Sequence, residues 1–187
     1  MSVQLVICPG VHSPWLTDAF LAALATSFEP RGAALAERVE AALVFPCDRR
    51  LPYCGYQVLA FLNEEVAPAT AIGLIAFSAG VVGAIAAAWG WRSQGRSIHA
   101  FIALDGWGVP LGGDFPIYRL SHDWFTHLTS IGPGQCLSSF YADPGVPHLE
   151  LWRSPHTTIG WQTRANLTQR TRTTAAHFIG DILQRGG

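Results

Sequence analysis

Residues 71–91 read AIGLIAFSAGVVGAIAAAWGW, and how they are read decides the fold. Ala71 to Phe77 is apolar throughout, as in a strand covered on both faces of a sheet. Ala79 to Trp91 is rich in alanine, free of proline, and reads as a helix. Ser78 alone separates them. A strand that runs straight into a helix is the building unit of a parallel sheet, and it sets Ser78 at the carboxyl end of its strand. Ligands of open α/β sheets bind at that end.

The same alternation continues on both sides of this unit. Val3–Cys8 (VQLVIC) is an apolar strand ended by Pro9-Gly10, and Thr17–Ala25 has helical spacing with Thr17 as its N-cap. Ala41–Phe45 reads as a strand stopped by Pro46, Tyr56–Val66 as a helix ended by Pro68, and Ile98–Leu104 as a strand ended by Asp105-Gly106. Residues 165–185 read as a closing helix with Ala175, Ala176, Phe178, Ile179, Ile182 and Leu183 on its inner face. The stretch 105–147 is less regular, rich in glycine, proline and aromatics, with one short helix near His122–Thr129. It reads as an excursion over the sheet. The prediction is one α/β domain over residues 1–187, a three-layer sandwich. Its mostly parallel sheet has about five strands, with helices on both faces.

Composition excludes several function classes. Hydrophobic residues make up 49% and charged ones 13%, so a large core is available and a disordered tail is not expected. A net charge of −1 with scattered arginines offers nothing to nucleic acid. All 12 basic residues are arginine, which removes any lysine-based chemistry. Cys8, Cys47, Cys54 and Cys136 show no C-x-x-C spacing and read as reduced thiols of a cytoplasmic protein. The N-terminus lacks the basic region of a signal peptide. The most apolar stretch, 71–91, is broken by Ser78 and four glycines, so no membrane span is expected. No pattern calls for a metal or a cofactor.

The chemistry centres on Ala76-Phe77-Ser78-Ala79-Gly80, a relaxed G-x-S-x-G. A nucleophilic serine on such a turn is held in a strained backbone, and the residues two before and two after must be small. Ala76 and Gly80 qualify. The amide of Ala79 at the helix start, and that of Val11 in the loop after the first strand, are the expected oxyanion donors. His12, Phe77 and Trp107 are the candidate substrate contacts. A serine of this type needs a histidine base oriented by a carboxylate. His99 and His177 read as structural. His122 and His127 lie five apart on the excursion, off the i, i+4 spacing of a helical metal pair. Of His148 and His156, the second sits where a chain-terminal base is expected, before the last helix. The acid has two candidates. If Leu137–Ala142 is a parallel strand, Asp143 stands at its active end. If His148–Trp152 is the strand, Asp105 is the better placed. Both cannot be parallel strands, because about five residues cannot carry a crossover. The Ser78–Asp143–His156 set has the chain order of the α/β-hydrolases.

On these residues the chain resembles a minimal, nearly lidless α/β-hydrolase, similar in size and layout to cutinases and to small serine esterases of the retinoblastoma-binding-protein-9 type. The resemblance rests on Pro9-Gly10 after the first strand, the Ser78 turn after the third, and Asp143-Pro144 with Pro155-His156 near the end. Ala76 in place of glycine and the lack of the cutinase disulfides depart from it. It implies a serine hydrolase acting on an ester or thioester of a small or acyl substrate. The alternative is an inactive scaffold of that fold that binds a lipid, pigment or protein.

Overall fold

The computed structural model describes residues 3–28, 32–130, 136–164 and 170–185. Their strands are β1 (Val3–Cys8), β2 (Leu43–Val44), β3 (Ala71–Phe77), β4 (Ile98–Leu104), β5 (Ile117–Ser121), β6 (Ser138–Ala142), β7 (Ile159–Arg164) and β8 (Arg170–Thr174). The helices are α1 (Trp15–Phe28), α2 (Ala33–Glu40), α3 (Gly55–Glu65), α4 (Ala79–Ser93), α5 (Trp124–Thr129), α6 (His148–Arg153) and α7 (Ala175–Gln184). The strands form one sheet in the order β2-β1-β3-β4-β5-β6-β7-β8. Neighbours from β2 to β6 pair in parallel, and β7 and β8 close the edge as antiparallel strands. The fold is α/β, with a mixed but mostly parallel sheet.

Burial follows the two-residue period of the strands. Leu5, Ile7, Ile75, Phe77, Ile102 and Leu104 join α1, α2, α6 and α7 in one apolar cluster. Val6, Cys8, Leu74, Ala76, Phe101 and Ala103 join α3 and α4 in the other. Successive residues of a strand point to opposite faces, so these clusters are the two sides of the sheet and the helices cover both. Trp91 is wholly buried while Trp89, two residues earlier on α4, is 57% exposed.

β1, β3 and β4 have the expected bounds. The expected number of strands, about five, is too low. Of the others, β6 falls on the candidate strand Leu137–Ala142, while β5 lies in the stretch expected to be irregular. Arg119 interrupts the apolar run of β5. The edge strand β8 is threonine and arginine throughout, and β7 has only Ile159 and Trp161 as large apolar residues, so neither gives a sustained apolar run. The closing helix starts only at Ala175, behind β8, and residues 165–169 of that expected helix lie outside the described residues. Thr17 is no cap: it is the third residue of α1 and is buried. All four cysteines are free thiols, and burial pushes the Cys8 thiol up to about 12. No described helix is long and apolar enough to cross a membrane.

Candidate functional site

Four successive parallel strands leave the sheet at the same end. β3 runs into Ser78, β4 into Asp105 and β5 into His122, and the loop after β6 leads to His148, the first residue of α6. Ser78 has φ 52° and ψ −122°, and Asp105 has φ 50°. They are the only non-glycine residues with positive φ among those described. Each such conformation costs on the order of 1–3 kcal/mol, and it persists only where the surroundings enforce it. The surroundings here are the neighbouring strands and the loop after β1. The Ser78 amide donates to the Leu104 carbonyl at 2.9 Å, and that of Asp105 to the Leu120 carbonyl at 2.9 Å. A Cβ on Gly80 would run into the carbonyl oxygens of Cys8 and Pro9, and one on Gly10 would come within 3.0 Å of Ser78 Cβ. Ala76 sits fully buried in β3, so alanine fits where the motif usually has glycine.

His148 Nε2 lies 3.1 Å from Ser78 Oγ, and its Nδ1 lies 2.8 Å from Asp105 Oδ2. Asp105 also accepts from His122 twice: the backbone amide donates to Oδ1 at 2.9 Å and Nδ1–H to Oδ2 at 3.0 Å. An ionised carboxylate can only accept, so the proton of each ring sits on Nδ1. That leaves Nε2 of His148 as an acceptor facing the serine hydroxyl. The Asp105 side chain is 1% exposed. Burial, the largest effect, works to raise its pKa, but the hydrogen bonds from His122 and His148 together hold it below the ordinary carboxylate value. The same bond to Asp105 raises the pKa of His122 against the opposing effect of burial.

The expected partners of Ser78 are therefore corrected. The structure brings neither Asp143 nor His156 to the serine; Asp105, the alternative acid, and His148 stand there. The Asp143 carboxylate accepts from Trp161 Nε1 at 2.7 Å and lies 3.9 Å from Arg172. His156 is exposed in the turn between α6 and β7. Of the two late segments, Leu137–Ala142 supplies the parallel strand, but the acid expected with it, Asp143, is not the one at the serine. β6 is a strand, yet its following loop turns back and α6 starts over the carboxyl ends with His148. A signal for this existed: His148, Leu151 and Trp152 have the i, i+3, i+4 spacing of a helix face. His122 gave no comparable signal, because Arg119 hid the strand before it.

Phe77 is a further correction. Expected to touch substrate, it is wholly buried and carries the base instead. Its ring stacks on His148 at 4.7 Å on one side and on Trp152 at 4.9 Å, and Trp152 stacks on Phe20 at 3.7 Å. His12 is not among the cleft-lining residues. It packs 5.7 Å from Phe77, and its Nδ1–H donates to the Ser13 carbonyl at 3.0 Å. Val11 is exposed in the loop next to Gly10, and Ala79 opens α4, where a first-turn amide has no partner in its own helix.

Trp107 does face the cleft. This open hollow of about 340 Å³ is lined by Ser78, Asp105, His122, Thr126 and His148 on its polar side and by Val82, Trp107 and Val109 on its apolar side. Asp105, His122 and His148 each present one ligand-type atom, all within 4.8 Å of one another. The two Nδ1 atoms hydrogen-bond to Oδ2 itself. An ion at the roughly 2.1 Å that nitrogen ligands need would have to displace that pairing. The cluster is read as a hydrogen-bonded one.

Fold and geometry thus define an α/β protein in which a serine at positive φ meets a histidine backed by a buried aspartate. No protein-family model matches the chain, and no curated protein matches it.

Proposed function

We propose that the protein is a serine hydrolase of the α/β-hydrolase type that cleaves an ester or thioester of a small or acyl substrate. The observation that carries this reading is the chain Ser78–His148–Asp105, with links of 3.1 and 2.8 Å, built on a serine at φ 52°. A strained backbone at the one serine that meets a base is what a nucleophile turn requires. In this reading Ser78 Oγ attacks the carbonyl carbon while its proton passes to His148 Nε2. Asp105 stabilises the imidazolium. The amides of Ala79 and Val11 receive the oxyanion, and Gly10, packed on Ser78, keeps the second strand-end loop close enough. The Nε2 proton then leaves with the alcohol or thiol, and the acyl group stays on Oγ. Water attacks the acyl-enzyme, again giving its proton to His148, and returns free serine and acid. Val82, Trp107 and Val109 form the wall against which an apolar acyl or aryl group rests.

A fluorophosphonate probe tests the proposal, because it modifies only a serine activated in this way. The folded protein is expected to label, and Ser78→Ala to lose all labelling. Absence of labelling in the folded wild-type chain would favour the inactive scaffold and end the hydrolase reading.

A further inference from the structure

Two imidazoles share one oxygen of a buried carboxylate, and a nucleophile–base–acid chain needs only one of them. We propose that His122 is a positioning residue of the site: it clamps both oxygens of Asp105, so that Oδ2 stays aimed at His148. The inference rests on the hydrolase reading. The clamp is bidentate, with the backbone amide on Oδ1 at 2.9 Å and Nδ1–H on Oδ2 at 3.0 Å. Without the imidazole, Asp105, at φ 50°, would keep the His122 backbone amide on Oδ1 but have only His148 on Oδ2, the oxygen that must stay aimed at the base. His122 is itself fixed from the base side. Its carbonyl accepts from the Val146 amide at 2.9 Å, in the loop that leads into α6. The two imidazoles lie 5.8 Å apart, edge to face, so acid, clamp and base pack as one cluster.

The clamp also shares charge. The ionisable groups facing His122 are Asp105 after β4, His148 on α6 and Asp123 beside it, whose Oδ2 lies 3.5 Å from Nε2. A proton on His122 pairs with the Asp105 carboxylate. The His148 imidazolium of the transition state then loses part of its counter-charge, and the reaction slows. One carboxylate cannot fully serve two imidazolium ions.

The test is the rate of fluorophosphonate inactivation against pH for wild type, His122→Ala and His122→Asn, each shown to be folded by urea unfolding. Asparagine places an amide N–H close to where Nδ1–H stands but cannot take a proton. At pH 8, His122→Ala is expected to react about 10- to 100-fold more slowly, the scale of a misplaced reacting group. His122→Asn should recover to within about threefold of wild type, because the donor is restored. The acid limb of the wild type should lie at higher pH than that of His122→Asn, because only the wild type carries an imidazole that can take a proton at this position. The proposal is overturned if His122→Ala reacts as fast as wild type, if His122→Asn is no faster than His122→Ala, or if the acid limbs of wild type and His122→Asn coincide. Should His122→Ala fail to fold, the asparagine profile decides alone. Failure of the folded wild type to react at all is a different result, which removes the hydrolase reading itself.

Discussion

Ser78 and Asp105 hold conformations that side-chain-bearing residues avoid, and each is set by the strand beside it. The pairing of β3 with β4 and of β4 with β5 carries their amides onto Leu104 and Leu120, so the turn begins one residue past the sheet. Asp105→Asn keeps this geometry but offers His148 an amide in place of a charge. It is expected to slow fluorophosphonate labelling by about 10³- to 10⁴-fold, as for an acid that fixes the base tautomer. Asp143→Asn and His156→Ala, which lie away from the serine, should label at the wild-type rate. Equal rates for Asp105→Asn and Asp143→Asn would refute the assignment. Gly80→Ala has no room for its methyl group between the Cys8 and Pro9 carbonyls. Overpacking there should cost about 1–3 kcal/mol in urea unfolding, and moving the turn should slow labelling as well.

At the scale of elements, one of the two shortest described helices carries the base. α6 has six residues, fewer than a helix needs to hold in water on its own. Its fold comes from Leu151 and Trp152, both wholly buried, with Trp152 stacked between Phe20 and Phe77. Trp152→Ala is expected to destabilise the protein by about 3–5 kcal/mol in urea unfolding. Trp152→Phe, which keeps a ring in the stack, should cost less. Under conditions where both are folded, the alanine variant should label more slowly, because Phe77 loses the support that holds it under His148. Labelling at the wild-type rate in folded Trp152→Ala would show that the stack does not position the base. The same element shows why its identity was hard to read. Leu149 and Leu151 alternate as in a strand, while His148, Leu151 and Trp152 repeat as in a helix. Over six residues both patterns fit, and packing against α1 chose the helix. β5 and β8 were hidden by composition, since arginines and threonines supply no apolar period. β1, β3 and β4 were legible to the residue because they are buried on both faces.

For the molecule as a whole, the response to acid is set by histidines in opposite environments. His127 on α5 is 3% exposed; burial, then Arg119 and Arg170, push its pKa from 6.5 down to about 4. The unfolded chain therefore takes this proton first. Stability from His127 is full above pH 6.5 and is lost as pH falls toward 4, by up to about 3 kcal/mol. His122 has the opposite sign. Its raised pKa gives a contribution fully present below the ordinary histidine value and lost as pH rises through the folded one. Asp105, held low, contributes above the ordinary carboxylate value and loses this as pH falls through its folded one. His127→Phe keeps a ring between Trp124 and Tyr141 but cannot titrate. Urea unfolding at pH 7 and 4.5 should show a smaller loss of stability for this variant than for wild type. An equal loss would mean that His127 is not the group that titrates.

What the sequence by itself determined is local. Strand runs buried on both faces, a serine squeezed between strand and helix, and glycine two residues on are features of a single strand–turn–helix unit, and short-range sterics and periodicity specify them. The partners of Ser78 were decided only by the tertiary structure. His148 is 70 residues from the serine and 43 from its acid. They meet because β3, β4, β5 and β6 lie side by side and end at one edge, an order that no spacing along the chain records. For the same reason Asp143, sound by motif, is spent on Trp161, and His122, anonymous in sequence, stands at the centre of the site.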